Sequence, residues 1–430
     1  MTSTDADRDL PHDAAVRPLE EAAAENHREM FRLSALASGG EVLERHGVMW
    51  TWGGECCESV IAFPRLPDAA AGSALDDIVA FYLERPAAKL VGCWSLEPPC
   101  PTDLDGRLLA RGFQVGWRPC WMWLPLERLR DGHPRPAGLV VGEIEDETAW
   151  RPEGMPYHDP ANAEARARAR RLAAGRLLRF GAWLDGVPVG QSTLLLTADP
   201  PGVAGIYDVG VVERARGQGI GKAVMSAACA RARALGCGHA LLNATGERMY
   251  RQLGFRRIGR GWTWWLDVAR LAQRQPSAGR VALAEAVWRG DTAALAALAP
   301  GQPTAVLDEP LPCEMTLMAL AAHAGRPGAA EWLAEQGATL DVVSAWDLGW
   351  RERVPALLAA RPELADRRSG EGGLTPLHVA VERGDADLAR AVLAAGPDLA
   401  AEDPRFHATA LGWARHLGRA DIARLIEEHA

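Results

Sequence analysis

The 430-residue sequence predicts an α/β region built twice over, followed by an all-α array of helix pairs. Three observations carry this. An apolar run, Val203-Ala204-Gly205-Ile206-Tyr207-Asp208-Val209-Gly210-Val211-Val212, reads as a strand. It leads through Arg216-Gly217-Gln218-Gly219-Ile220-Gly221 into Lys222 to Leu235, where apolar and small residues recur at helical spacing. At a shift of about 142 positions, Leu108-Leu109-Ala110-Arg111-Gly112-Phe113 falls on Tyr250-Arg251-Gln252-Leu253-Gly254-Phe255, and Trp123-Leu124 on Trp265-Leu266. Beyond Gly279 the texture becomes Ala/Leu-rich, and Gly384-Asp385 and Gly418-Arg419, like Thr375 and Thr409, lie 34 residues apart.

Composition narrows the function classes. The length exceeds one ordinary core and suggests two to four domains. The chain is 48% apolar without a run long enough to span a bilayer, and Met1 to Asp13 lacks the basic and apolar regions of a signal peptide. A cytoplasmic protein with no membrane partner is therefore expected. A net charge of −9 and a pI near 5.7 argue against nucleic acid as the main partner. Eight cysteines (Cys56, Cys57, Cys93, Cys100, Cys120, Cys229, Cys237 and Cys313) form no paired Cys-x-x-Cys units, so reduced thiols are expected, with neither a metal site nor a disulfide framework.

In order, the chain should begin with a disordered segment, residues 1–16, and a helix over about 18–37. Strands follow at 47–52 and 59–63, a helix at 76–84, a strand at 89–96, a helix at 103–111, and a long strand or bent pair at 113–126. Arg130 to Pro136 reads as a linker. A strand at 139–144, a segment rich in Pro, Tyr, His and Asp, and a helix at 162–174 come next. Strands at 178–184 and 187–197 are joined by the hairpin signal Asp185-Gly186. After the glycine-rich turn come strand 239–243, helix 247–253 and the tryptophan-rich strand 261–267.

Strand, glycine turn and helix together suit a phosphate: glycines permit close backbone approach, and the first helical amides and the helix dipole attract negative charge. Two familiar motifs fail on detail. A nucleotide-hydrolase loop needs Gly-Lys-Ser/Thr, but Ala223 follows Lys222, and Gly217, Gly219 and Gly221 do not keep the Gly-x-Gly-x-x-Gly spacing. The six residues resemble instead the Gln/Arg-x-x-Gly-x-Gly/Ala signature of the GNAT N-acetyltransferases. Val211 to Gly217 resembles the end of that family's fourth strand and its turn. Leu241-Leu242-Asn243-Ala244-Thr245 and Met249 to Phe255 resemble the fifth strand and following helix. The resemblance covers about 138–268.

The resemblance implies a GNAT α/β (α+β) fold with a mixed, mostly antiparallel sheet, and an enzyme that passes an acetyl group from acetyl-CoA directly to a primary amine. Backbone amides of Arg216, Gly217, Gln218, Gly219, Ile220 and Gly221, with the helix start at Lys222, would hold the pyrophosphate. Amides near Val209 to Val211 would polarise the thioester carbonyl. Tyr250 stands as the general acid; packed in a core, it would be structural only. Asn243 would bond the cofactor arm or a water, or cap a strand. Asp208 is the candidate for binding the acceptor amine or relaying its proton, although an outer-face carboxylate needs no such role. His158, beside Tyr157 and Asp159 in the variable acceptor region, ranks behind it. Arg166, Arg168, Arg170 and Arg171 read as a solvated helix, and Trp262, Trp264 and Trp265 as core residues or pocket walls.

The first copy, 17–129, has Pro64-Arg65-Leu66-Pro67-Asp68 where the glycine loop should be, and Leu108 where Tyr250 should be. It reads as a degenerate GNAT-like domain or, since only one short motif is shared, as an unrelated α/β module. A linker at 130–137, the catalytic copy at 138–268 and a second linker at 269–278 complete the region. In the tail, Leu374-Thr375-Pro376-Leu377-His378-Val379-Ala380 resembles the ankyrin signature, and Ala408 to Ala414 does so loosely. Residues 279–430 are thus expected to form about five ankyrin-like units, with Thr375 and His378 stabilising turns and the surface recruiting a partner or acceptor protein. Two other functions fit the same residues: a non-catalytic scaffold that at most senses acetyl-CoA, and a small-molecule amine acetyltransferase with a purely structural tail.

Overall fold

The computed structural model describes residues 17–54, 57–85, 90–197, 202–244, 246–298, 304–370 and 372–430. The expected disordered start, Cys56, Lys89 and Thr245 lie outside them. Two compact bodies emerge, one of residues up to 102 with 115–269, the other of 103–114 with 270–430.

The first body contains α1 (Arg17–Ala37), β1 (Glu41–Arg45), β2 (Val48–Trp52), β3 (Ser59–Ala62), α2 (Asp68–Leu83) and β4 (Leu90–Leu96). After α3 (Leu104–Ala110), which belongs to the other body, come β5 (Gln114–Val115), β6 (Cys120–Pro125), β7 (Leu139–Glu143), α4 (Ala163–Leu172), β8 (Leu177–Leu184), β9 (Val187–Leu196) and β10 (Val203–Val211). Then follow α5 (Ile220–Ala234), β11 (His239–Ala244), α6 (Glu247–Leu253), β12 (Arg256–Asp267) and α7 (Val268–Gln273).

Its strands form one 12-stranded sheet ordered β1-β2-β3-β4-β12-β6-β11-β10-β9-β8-β7, with β5 off this path. The order mirrors itself about the β12–β6 junction. Among the described residues each half has one parallel strand pair, β3 with β4 and β10 with β11, among antiparallel ones. The two halves repeat one strand arrangement, with the closing strands exchanged. β6 of the first half pairs along β11, from His239↔Pro125 to Ala244↔Cys120, while β12 of the second half pairs with β4 through Gly261↔Leu96 to Asp267↔Leu90. The tryptophan-rich part of β12 therefore lies across β6 from β11, and Trp264 is buried core rather than a wall of the second half's cleft.

Four elements differ from the sequence reading; one is α7, a helix where the linker 269–278 was expected, its Val268 and Leu271 being buried. β1 was not expected; it pairs with β2 around a His46-Gly47 turn, both residues at positive φ. α2 starts at Asp68 rather than at 76, because Pro67 ends the preceding segment and fits the position just before a helix. β12 starts at Arg256, five residues before the expected 261, because β6 supplies a partner for Arg256 to Arg260.

Helix α1 packs on strands of both halves. Asn26 donates to the Leu195 carbonyl at 3.0 Å and accepts from the Tyr207 hydroxyl at 2.5 Å. Beside it His27 is buried among Phe31, Phe63, Trp94, Trp121 and Tyr207, with ring centroids 4.9–6.0 Å away.

In the second body α3 packs on α8 (Ala278–Arg289). Gly106 makes the approach possible, since a Cβ there would lie 2.1 Å from Trp288 Cγ. Arg111 donates to Glu285 at 2.7 Å. The array continues through α9 (Thr292–Leu298), α10 (Thr304–Asp308), α11 (Leu317–His323), α12 (Pro327–Glu335), α13 (Val342–Asp347), α14 (Val354–Ala360), α15 (Pro376–Arg383), α16 (Ala386–Leu393), α17 (Ala410–His416) and α18 (Ala420–Glu427). Helices pair as α8–α9, α11–α12, α13–α14, α15–α16 and α17–α18, and α8, α11, α13, α15 and α17 stack in turn. The marker glycines Gly290, Gly325, Gly349, Gly384 and Gly418 each sit between paired helices at φ 64–77°. Thr375 caps α15, and His378 joins its Nδ1 to Thr375 Oγ1 at 2.8 Å and its Nε2 to the Ala408 carbonyl at 3.1 Å, linking one helix pair to the next.

Burial pushes the pKa of His27 down to about 3. The folded chain holds this ring neutral, whereas the unfolded chain takes up its proton below about pH 6.5, so stability is lost as pH falls from about 6.5 toward 3. His27→Phe is expected to flatten the acid slope of the sheet body's thermal midpoint by roughly a few °C between about pH 7 and 5, read by circular dichroism. An unchanged slope would assign the acid sensitivity elsewhere.

Candidate functional site

The glycine-rich loop sits where β10 delivers it. β10 and β11 pair in parallel only over Val203↔His239, Ala204↔Ala240 and Gly205↔Leu241, although β10 runs on to Val211 and β11 to Ala244. β11 stays bonded to β6 along its other edge, so the opening falls between β10 and β11. In the first half the equivalent gap is closed. β3 and β4 stay in register to Ala62↔Trp94, Phe63 donates to the Trp94 carbonyl at 2.8 Å, and Leu66 to that of Cys100 at 3.1 Å.

β10 is also bulged. Its register with β9 jumps from Tyr207↔Thr193 to Gly210↔Gln191, leaving Asp208 and Val209 opposite Ser192 alone. Asp208 takes φ +52°, a left-handed conformation unusual for a side-chain-bearing residue. Val209 and Val211 are half-buried against the core.

Beyond the bulge, Glu213 to Ala215 make one 3-10 turn and Arg216 returns to extended backbone, its Nε donating to the Val211 carbonyl at 3.3 Å. Gly217 (φ +78°) and Gly219 (φ +84°) then turn the chain into α5. At Gly219 a side chain has no room, since a Cβ would lie 2.2 Å from the Pro134 carbonyl oxygen. Ile220 is buried and fixes the helix start, while no side chain caps that end and no acid lies in its first turn. The first-turn amides, which have no partners within a helix, thus face an open cleft of about 940 Å³ lined by the whole loop, Lys222 and Met249.

Tyr250, on α6, and Asn243, on β11, are not among the residues that line this cleft. Tyr250 packs edge-on to Phe255, with centroids 6.1 Å apart. Burial, and then the neighbouring Tyr157, push its hydroxyl up to about 12. Asn243 is half-buried opposite Trp121 of β6.

Asp208 accepts from the Thr193 hydroxyl at 3.0 Å. It retains solvent contact, yet the protein around it desolvates the carboxyl and raises its pKa, against the pull of Thr193, Arg179 and Arg166. His158 is pushed down to about 4 by desolvation and by Arg166, Arg179 and Arg151, so it is neutral at pH 7. Arg166 does not belong to a merely solvated helix. With Arg170 it faces Glu147, at 3.6 and 3.9 Å, while Arg168 and Arg171 are exposed. Glu147 is the hub of a buried network. It receives Arg179 at 2.6 Å; Arg179 also donates to Gln191 at 2.7 Å, and Gln191 donates to the Pro156 carbonyl at 2.9 Å. The sequence reading missed these three residues. The available signal was an arginine inside the apolar strand 177–184, which must find a partner when buried.

Residues 143–255 match the Acetyltransferase (GNAT) family, and residues 372–404 match the ankyrin repeat. The chain is similar to a mycothiol acetyltransferase of Parafrankia sp. (strain EAN1pec), at 30% identity over 196 residues; the match covers 42% of this chain and 55% of that protein. The chain thus spans about half the length of this curated relative. Solved structures similar to it include a GCN5-related N-acetyltransferase from Kribbella flavida, with 18% identity, 56% of this chain and 95% of that one, and TM-score 0.42. Another is a tandem GNAT protein from the clavulanic acid biosynthesis pathway, with 14% identity, 60% and 97% coverage, and TM-score 0.39. Among the described residues no helix is long and apolar enough to cross a membrane. Residues 143–255 are a GNAT acetyltransferase domain, and residues 372–404 are an ankyrin repeat.

Proposed function

We propose that this protein transfers an acetyl group from acetyl-CoA to a primary amine by direct attack while both are bound, and that its helix-pair array recruits a partner or acceptor protein. In this reading residues 138–268 are the catalytic half, 17–129 a half without chemistry, and 279–430 the recruiting array. One conjunction carries the reading: an uncapped helix start and glycines at left-handed φ border a single cleft, at the end of a strand, β10, that parts from β11 after Gly205.

These residues fit a pyrophosphate. Gly219 leaves room that a Cβ would fill, and Lys222 and Arg216 add positive charge to the amides of Gly217, Gln218, Ile220 and Gly221. Acetyl-CoA bound there supplies an acyl group already activated as a thioester. Near it, the bulge at Asp208 and Val209 takes backbone amides out of the ladder and offers them to a carbonyl oxygen. Asn243 offers its amide to the cofactor arm or to a water.

Asp208 orients the acceptor's ammonium or takes its proton through water, and its raised pKa makes it a better base than a surface carboxylate. Tyr250 holds its proton throughout the neutral range. Against a thiolate of ordinary pKa near 8.5 a phenol at about 12 is first a hydrogen-bond donor, and full proton transfer requires that substrate binding lower its pKa.

Calorimetry should show acetyl-CoA binding to the wild type and none to Arg216→Glu, Gly219→Glu; a folded wild type that fails to bind would end the enzyme reading. Tyr250→Phe should keep that affinity while kcat falls about 100-fold in a thiol-release assay. Asp208→Asn should lower kcat similarly. The acid limb of the wild-type rate profile, where Asp208 takes up its proton, should lie above the ordinary Asp pKa of about 3.9. A limb at or below that value would remove Asp208 as the base.

A further inference from the structure

We propose that Arg135 and Arg248 form a second phosphate subsite beside the loop and select coenzyme A that carries its 3′-phosphate; the inference rests on the acetyl-CoA reading above. Among the described residues the cleft is lined by four cationic side chains, Arg135, Arg216, Lys222 and Arg248, and by no carboxylate. The chain as a whole has 56 acidic against 47 basic residues, so this local excess runs against the composition.

Arg135 does not arrive from the catalytic fold itself. It belongs to the segment between the two halves, which is laid over the loop. Arg130 donates its amide to the Leu253 carbonyl at 3.0 Å, fixing the segment to the end of α6. Further along, the Pro134 carbonyl and Arg135 Cα come within 2.2 and 3.9 Å of where a Gly219 Cβ would be. The glycine is what lets this segment lie directly on the loop, and so brings a guanidinium to the cleft.

Arg248 stands in the first turn of α6, whose single acid is already engaged. Glu247 is taken by Arg251 at 2.7 Å and Arg257 at 3.5 Å. Among the described residues Arg248 and Arg135 enter no ion pair. Both are exposed cations held at the rim of a cleft without a counter-charge.

The charges decide what they would meet. A pyrophosphate diester carries about −2, which the loop amides with Arg216 and Lys222 answer. A phosphate monoester adds about −1.5 to −2 at neutral pH, which matches the two remaining guanidinium groups. Planar, permanently charged guanidinium groups are well suited to a phosphate monoester.

The test is calorimetric titration of the full chain with coenzyme A and with 3′-dephospho-coenzyme A, for the wild type and for Arg135→Ala, Arg248→Ala. Both substituted positions are exposed, so folding is not at stake, and circular dichroism checks it. The wild type should bind the dephospho form at least ten-fold more weakly. The double variant should bind both forms about equally, at the wild type's affinity for the dephospho form. Equal affinity of the wild type for the two would overturn the subsite and leave the acetyl-CoA reading intact. A variant that loses the same factor for both would also overturn it, by assigning the arginines to the pyrophosphate. If the folded wild type binds neither, the acetyl-CoA reading falls and takes the subsite with it.

Discussion

The opening between β10 and β11 depends on how β11 is held. A strand can leave one neighbour only if its other edge keeps its hydrogen bonds, because a backbone unpaired on both sides carries a desolvation cost at every peptide. β6 satisfies β11 along six residues, from His239 to Ala244, and frees β10 to diverge after Gly205. That β6 comes from the other half of the chain makes the two halves interdependent: the half without a glycine loop contributes the strand that lets the other half open. In return β12 completes the first half beside β4, where the parallel pair stays closed.

The opened edge sets the electrostatics. At the loop, left-handed glycines and an uncapped, acid-free helix start leave partial positive charge toward the cleft, reinforced by the cations along its rim. On the far side of the bulge the balance differs. Asp208 lies near Arg166 and Arg179, but these arginines are shared with Glu147, which is buried at their centre. Removing Glu147 would leave buried guanidinium charge without compensation, a far larger penalty than the loss of a surface pair. The network therefore fixes the floor on which Asp208 and Thr193 stand.

The helical array obeys a simpler rule. Each pair buries its inner face on the next, and the positive-φ glycine between paired helices is the local device that folds each unit back on itself. His378 adds a specific link, bonded on one side to the Thr375 cap and on the other to the carbonyl of Ala408 in the following unit. Desolvation lowers its pKa, which keeps the ring neutral and able to donate at one nitrogen while accepting at the other.

The sequence by itself determined what rests on short-range physics. Glycine pairs mark left-handed turns, threonines cap helices, and the spacing of strand, loop and helix points to an anion site; the loop, Tyr250's helix and the helix-pair period were all legible. The duplication was legible too, through Gly112-Phe113 against Gly254-Phe255. Only the tertiary structure decided the exchange of β6 and β12, the extra strand β1, and the burial of Glu147, Arg179 and Gln191. Pairing across more than a hundred residues leaves little trace in local pattern, since a strand reads alike whichever neighbour completes it. For the same reason Arg135 read as a linker residue: its place on the cleft comes from the missing Cβ of Gly219, 84 positions away.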